Sequence, residues 1–207
     1  MELTVHKITG EKTGKKVVLN DTIFGIEPND HAIYLDVKRF LAHQRQGTHK
    51  SKERNEVAFS TKKLKKQKGT GGARAGSRKN PMYRKGGRFF GPKPHDYVIG
   101  LNKQVKQLAR YSALTYKAKN NDIIVLEDFR FEEPKTKSIE SIKNVLKIAG
   151  KKILVVLPQP DKNIYLSSRN LQDVKVVTLS ELTTYDIMNC GVLLFNESSI
   201  NNLQNKN

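Results

Sequence analysis

The sequence predicts an α/β fold: a mostly parallel sheet flanked by helices, Rossmann-like in order but without a nucleotide site. An N-terminal β-hairpin precedes it and a long extended basic loop interrupts it. Three observations carry this. Four short runs rich in Val, Ile and Leu recur late in the chain: DIIVLEDF (Asp122 to Phe129), KILVVLP (Lys152 to Pro158), VKVVTL (Val174 to Leu179) and GVLLF (Gly191 to Phe195). Each is continuous rather than alternating, as a strand covered on both faces should be. Helical stretches fall between the runs, and strand–helix–strand alternation argues parallel pairing with right-handed crossovers. Lastly, the charge is concentrated. Gln44 to Pro94 holds sixteen Lys and Arg against Glu53 and Glu56, a net +14 of the chain's +18.

The elements follow in order. LTVHKI (Leu3 to Ile8) and KKVVLN (Lys15 to Asn20) read as hairpin strands turning around Gly10 and Gly14. A helix begins near Asn29 or Asp30, both good N-caps. It sets Ile33, Val37, Phe40 and Leu41 on one face. After the basic segment, a helix from about Leu101 to Ala118 aligns Val105, Leu108, Ala109 and Ser112. SIESIKNVLKIAG, between the first two buried runs, spaces Ile139, Ile142, Val145, Leu146 and Ala149 helically. ESSINNLQNKN ends the chain as a short helix and a frayed end. Residues 1–46 and 96–207 are expected to form one globular domain, with 47–95 an extended loop inserted between two helices.

Composition narrows the function. The chain has 207 residues, 37% of them hydrophobic, and a sequence pI of about 9.9. Such a charge imbalance costs stability through self-repulsion and points to a polyanionic partner. The single cysteine, Cys190, excludes an internal disulfide framework and fits a reducing compartment. No apolar run approaches a membrane span, and MELTVHKITGEKTGKK lacks the apolar core of a secretion signal. A cytoplasmic, non-membrane protein is expected.

Catalysis finds no support. EDFRFEEPKTKS, after the first buried run, has no GxGxxG, and its acids would repel a pyrophosphate. PQPDKN has no glycine. Gly71 to Gly76 matches the outer glycines of a P-loop, but Ser77 and Arg78 follow where Lys and Ser or Thr belong. The histidines at 6, 31, 43, 49 and 95 show no metal-ligand spacing with Cys190. Cys190 reads as a buried structural thiol with no evident positive neighbour. Asp122, Glu127 and Asp128 read as capping or solvated acids. No catalytic residue, cofactor or metal is expected.

KKLKKQKGTGGARAGSRKNPMYRKGGRFFGPKPH (Lys62 to His95) carries twelve Lys or Arg, seven Gly, three Pro and no acid. Ordering each backbone residue costs roughly 1–2 kcal/mol. The few large apolar residues, Leu64, Met82, Tyr83, Phe89 and Phe90, cannot offset that, so the free segment is expected to be disordered or loosely extended. With folded RNA as partner, each residue type has a use. Lys and Arg neutralise phosphates and release counterions. Arg can also stack or make bidentate contacts. Gly lets the backbone approach closely. Tyr83 and the two Phe can stack on bases or anchor the loop's base, with anchoring favoured for the Phe pair because GPKP follows. The basic residues expected to touch RNA are Arg45, His49, Lys50, Lys52, Arg54, Lys62, Lys63, Lys65, Lys66, Lys68, Arg74, Arg78, Lys79, Arg84, Lys85, Arg88 and Lys93.

QKGTGGARAGSRKNPMYRKGGRFFGP (Gln67 to Pro92) resembles the signature loop of the large-subunit ribosomal protein L-four family, bacterial type. QKGTG, ARAGS and GGRxFGP in succession carry the likeness, and the order of elements extends it over essentially the whole chain. The resemblance implies a structural, non-catalytic constituent of the large subunit that binds 23S-type rRNA and assists assembly. It implies that Gln67, Lys68, Gly69, Thr70, Gly71 and Gly72 line the polypeptide exit tunnel beside the L-twenty-two protein, where changes alter macrolide sensitivity in the family. Neighbouring large-subunit proteins are the other partners implied, and no homo-oligomer is expected. Some bacterial members also repress their own operon through the globular domain. Two departures mark this chain. Gly72 stands where many members have Arg, and Leu64-Lys65 where many have Pro-Trp. The rival readings are a nucleotide-dependent RNA-modifying α/β enzyme with a basic clamp, and a nucleoid-type DNA binder.

Overall fold

The computed structural model describes residues 1–205. Its elements are β1 (Glu2–His6), β2 (Lys12–Val18), α1 (Asp21–Phe24), α2 (Asp30–His43), α3 (Lys103–Lys119), β3 (Ile123–Leu126), α4 (Thr136–Val145), β4 (Ile153–Leu157), α5 (Lys162–Ser168), β5 (Val174–Thr178), α6 (Thr184–Asn189), β6 (Val192–Asn196) and α7 (Glu197–Asn205). The chain divides into two compact units. One is Met1–Phe40 with the chain from Gly100 onward, and the other is Leu41–Ile99.

The first unit is built on one mixed sheet of order β2-β1-β3-β6-β4-β5. β1 and β2 pair antiparallel, and the other neighbours pair in parallel. A Rossmann sheet would set β4 beside β3. Here β6, last in sequence, lies between them, so the expected Rossmann-like order is corrected. Burial gives the reason. β4 and β6 are buried at every position, as central strands must be, whereas the edge strand β5 exposes Lys175.

Each central strand feeds two cores. Leu154 and Val156 of β4 join Leu193 and Phe195 of β6 on one face, against Ile23, Ile33, Leu114, Ile187 and Ile200 from α1, α2, α3, α6 and α7. Ile153, Val155 and Leu157 join Val192 and Leu194 on the other, against Ile139 and Ile142 of α4 and Ile164 of α5. Side chains of a strand alternate between faces, so one apolar run supplies both helical layers.

The turn spans Lys7 to Glu11, closed by Lys7 N to Glu11 O at 2.9 Å, and Gly14 lies within β2. Asn29 caps α2, its Oδ1 accepting from Ala32 N at 2.9 Å. Leu41 and Leu108 are exposed, and Ala109, Ala113 and Leu114 form the buried stripe of α3. α4 stops at Val145, which is exposed along with Ala149, and Ile148 packs inward instead. The helical spacing continued past the real helix end, so the later residues left the apolar face.

Asp36 is a buried charge that apolar periodicity passed over. Two partners hold it. Thr184 Oγ1 donates to its Oδ2 at 2.6 Å across 148 residues of sequence, and Arg39 donates to Oδ1 through Nη2 at 2.9 Å and Nε at 3.0 Å. Removing one partner of a buried hydrogen bond strands the other. Asp36→Ala is therefore expected to destabilise the chain by about 1–3 kcal/mol, read as a lower urea midpoint.

Candidate nucleic-acid interface

Between His43 and Lys103 the chain forms neither helix nor strand, yet backbone hydrogen bonds tie the Leu41–Ile99 unit at intervals up to Leu64 and Gly76. Its two arms run past one another and are tied at intervals. His95 N donates to Gly47 O at 3.3 Å, Ser51 N to Pro92 O at 3.1 Å, and Arg88 N to Lys52 O at 2.9 Å. Leu64 N to Gly76 O, at 3.0 Å, closes the far end. The ties need small residues. Gly47 adopts φ +61, and a Cβ there would lie 2.0 Å from His95 O. At Gly87 a Cβ would meet Arg54 N at 2.4 Å. Glycine permits both approaches.

An aromatic cluster stiffens the start of the arms. The Arg45 guanidinium sits 3.7 Å over the Tyr97 ring centroid. His95 lies 4.5 Å from the Tyr97 centroid and meets His49 edge-on at 5.7 Å. The Tyr97 hydroxyl and His49 Nε2 are 3.4 Å apart, and Ile99 N donates to His43 Nε2 at 3.3 Å. Arg45 and His49 were nominated from sequence as RNA contacts, and the fold brings them together with His95 and Tyr97, which were not. Contacts between arms about fifty residues apart leave no local signal. Farther out, Arg78 lies 5.4 Å over the Phe59 ring.

Every nominated basic residue is exposed except Lys79, which is half-buried, and all of Gln67 to Gly72 is exposed. Both acids of the segment are engaged. Lys93 Nζ lies 2.9 Å from Glu53 Oε1, and Lys50 pairs with Glu56. The Lys50 hydrogen bond holds Glu56 below the usual carboxylate range, and the Glu53 hydrogen bond raises Lys93. Lys63 donates to Gln67 at the tip. The rest of the surface presents positive charge over an irregular backbone, an arrangement suited to phosphate. The Phe pair departs from expectation. Phe89 and Phe90 are 66% and 106% exposed, so neither anchors the loop's base.

At the carboxyl ends of β4 and β6, where α/β sheets bind nucleotides, the chain's own acids cap the helices that follow. Asp128 accepts from Ser198 N at 3.2 Å at the start of α7. Asp161 accepts from Asn163 N at 2.8 Å at the start of α5. These carboxylates occupy the helix N-termini a phosphate would use. Among the described residues, no three His, Cys, Asp or Glu side chains gather as a metal site. Among them, too, no helix is long and apolar enough to cross a membrane.

Cys190 is buried, and its Sγ donates to Ile187 O at 3.2 Å. A positive neighbour does exist: Lys117 Nζ donates to Cys190 O at 2.7 Å. Burial outweighs it and pushes the thiol up to about 11. The folded state thus holds its proton longer than the unfolded chain. That contribution to stability is full below pH about 9 and is lost as pH rises towards 11. Native Cys190 should react with Ellman's reagent at pH 8 at least tenfold more slowly than in urea, and an equal rate would contradict the buried thiol.

The model of the ribosomal protein L4/L1 family matches residues 17–206. The chain belongs to this family. A large ribosomal subunit protein uL4 of Parabacteroides distasonis is 62% identical over 200 residues, covering 97% of this chain and 96% of the relative. One of Bacteroides fragilis is 58% identical over 205 residues and 99% of each chain. One of Amoebophilus asiaticus is 59% identical over 203 residues, 98% of this chain and 97% of the relative. The L4/L1 match takes in both units, so the basic segment belongs to the family's pattern and is not an insertion peculiar to this chain.

Proposed function

We propose that the protein is a structural constituent of the large ribosomal subunit in the cytoplasm, that it binds large-subunit rRNA, and that it performs no catalysis. The exposed basic surface of the Leu41–Ile99 unit carries this reading, and membership of the L4/L1 family supports it. The unit provides cations at short intervals and a braced backbone that follows no regular element. Folded RNA offers a matching irregular path of phosphates. The nominated Lys and Arg residues contact those phosphates, and the protein acts in assembly as the rRNA closes around them.

The tip, Gln67 to Gly72, reaches the exit tunnel beside the L-twenty-two protein. Its full exposure and its Gly-rich backbone support this role. Repression of the protein's own operon, where it occurs, belongs to the α/β unit. A tagged copy expressed in its host should sediment with large subunits and remain there through a high-salt wash. Recovery only at the top of the gradient would sink the assignment.

A further inference from the structure

We propose that Phe89 and Phe90 form a stacking platform for unpaired bases of the bound rRNA, with Phe90 as the ring that inserts. The proposal rests on the rRNA-binding reading above and assigns it a base contact. Phe90 is 106% exposed, Phe89 66% and Met82 85%. Large apolar side chains are normally driven out of water. Here three within nine positions remain in it.

Chain mobility does not explain the exposure. The backbone is tied on both sides of the pair, by Arg88 N to Lys52 O at 2.9 Å and by Ser51 N to Pro92 O at 3.1 Å. The preceding turn is closed by Gly86 N to Tyr83 O and Gly87 N to Lys79 O, each at 3.0 Å. Phe90 also adopts φ +49, a left-handed conformation unfavourable to an aromatic residue. Hydrogen bonds at Arg88 and Pro92 bracket this residue, and its ring stands in solvent. Strain kept where it serves no packing marks a site of use.

The surrounding chemistry selects the occupant. Arg84, Lys85 and Arg88 flank the pair in sequence, and Lys93 beyond it is paired with Glu53. A ring set among cations suits a nucleobase, whose π-face stacks while its phosphates pair with the charges. Such stacking accepts any base, so the platform would recognise an unpaired nucleotide by shape rather than identity.

The chain has no tryptophan, so Phe90→Trp places a single indole, excitable apart from the tyrosines, at the site. In the full chain, its emission should be quenched by a transcript of the large-subunit rRNA. Phe90→Leu keeps apolar bulk but loses the π-face, and should weaken binding roughly five- to a hundredfold. The salt dependence should not change, because no charge is lost. Phe90→Gly should lose the same affinity while melting no lower than the parent, since glycine relieves the positive φ. The proposal falls if Phe90→Leu binds like the parent and the tryptophan is unquenched. Tight, salt-sensitive binding by the parent would then leave the rRNA reading standing. A parent that fails to bind the transcript overturns both. A tryptophan that responds to phosphatidylglycerol vesicles and not to RNA overturns the stacking role in favour of a membrane contact.

Discussion

Replacing Thr48 to Lys93 with a short Gly-Ser linker is expected to weaken binding to large-subunit rRNA and flatten its salt dependence, while the rest of the chain stays folded. The replacement removes fifteen of the thirty-eight Lys and Arg residues. Both hydrophobic cores lie outside the deleted stretch, so neither loses a residue. A short linker suffices because His95 N already sits 3.3 Å from Gly47 O. If the intact chain contacts roughly five to eight phosphates, log affinity should fall with log salt at a slope of about −4 to −7. The shortened chain should keep weaker binding with a shallower slope. Titration of both chains across a salt series decides it. Unchanged affinity and slope would mean that the basic segment is not the RNA contact.

Phe195→Ala should be the most damaging single substitution in the α/β unit. Phe195 is fully buried in β6, between Val125 of β3 and Val156 of β4 in register. Emptying such a site loses transfer free energy and leaves a cavity that neighbours on two strands cannot fill. A cost of about 3–5 kcal/mol is expected, or a melting point lower by roughly 6–20 °C for a chain of this size. Val18→Ala, at a position 62% exposed, should change stability by less than about 0.5 kcal/mol. Thermal unfolding of the two variants compares them directly. Equal melting points would contradict the central placement of β6.

The central strands β4 and β6 were legible because Val, Ile and Leu run without interruption where both faces are covered, and β5 was found from a shorter apolar run although it lies at the edge and exposes Lys175. The start of α2 was legible because Asn29 is a strong cap and lies immediately before an apolar helical face. Where local signals conflicted with packing, they misled. The spacing through Val145, Leu146 and Ala149 continued a helix that ends at Val145, and Leu108 kept helical phase without reaching the core. Asp36 was invisible because its partner Thr184 is 148 residues away. The interface divided in the same way. Its cations were plain from composition, but the cluster of Arg45, His49, His95 and Tyr97 depends on contacts between two distant arms.

The sequence by itself determined the α/β class, the buried strands, the lack of a phosphate loop and the location of the positive charge. All of these reside in runs of neighbouring residues. The tertiary structure alone decided the place of β6, the partners of Asp36 and the outward display of Phe89 and Phe90. Strand order and arm-to-arm ties form through backbone hydrogen bonds, which use the same atoms in every residue and leave no mark in the choice of side chain.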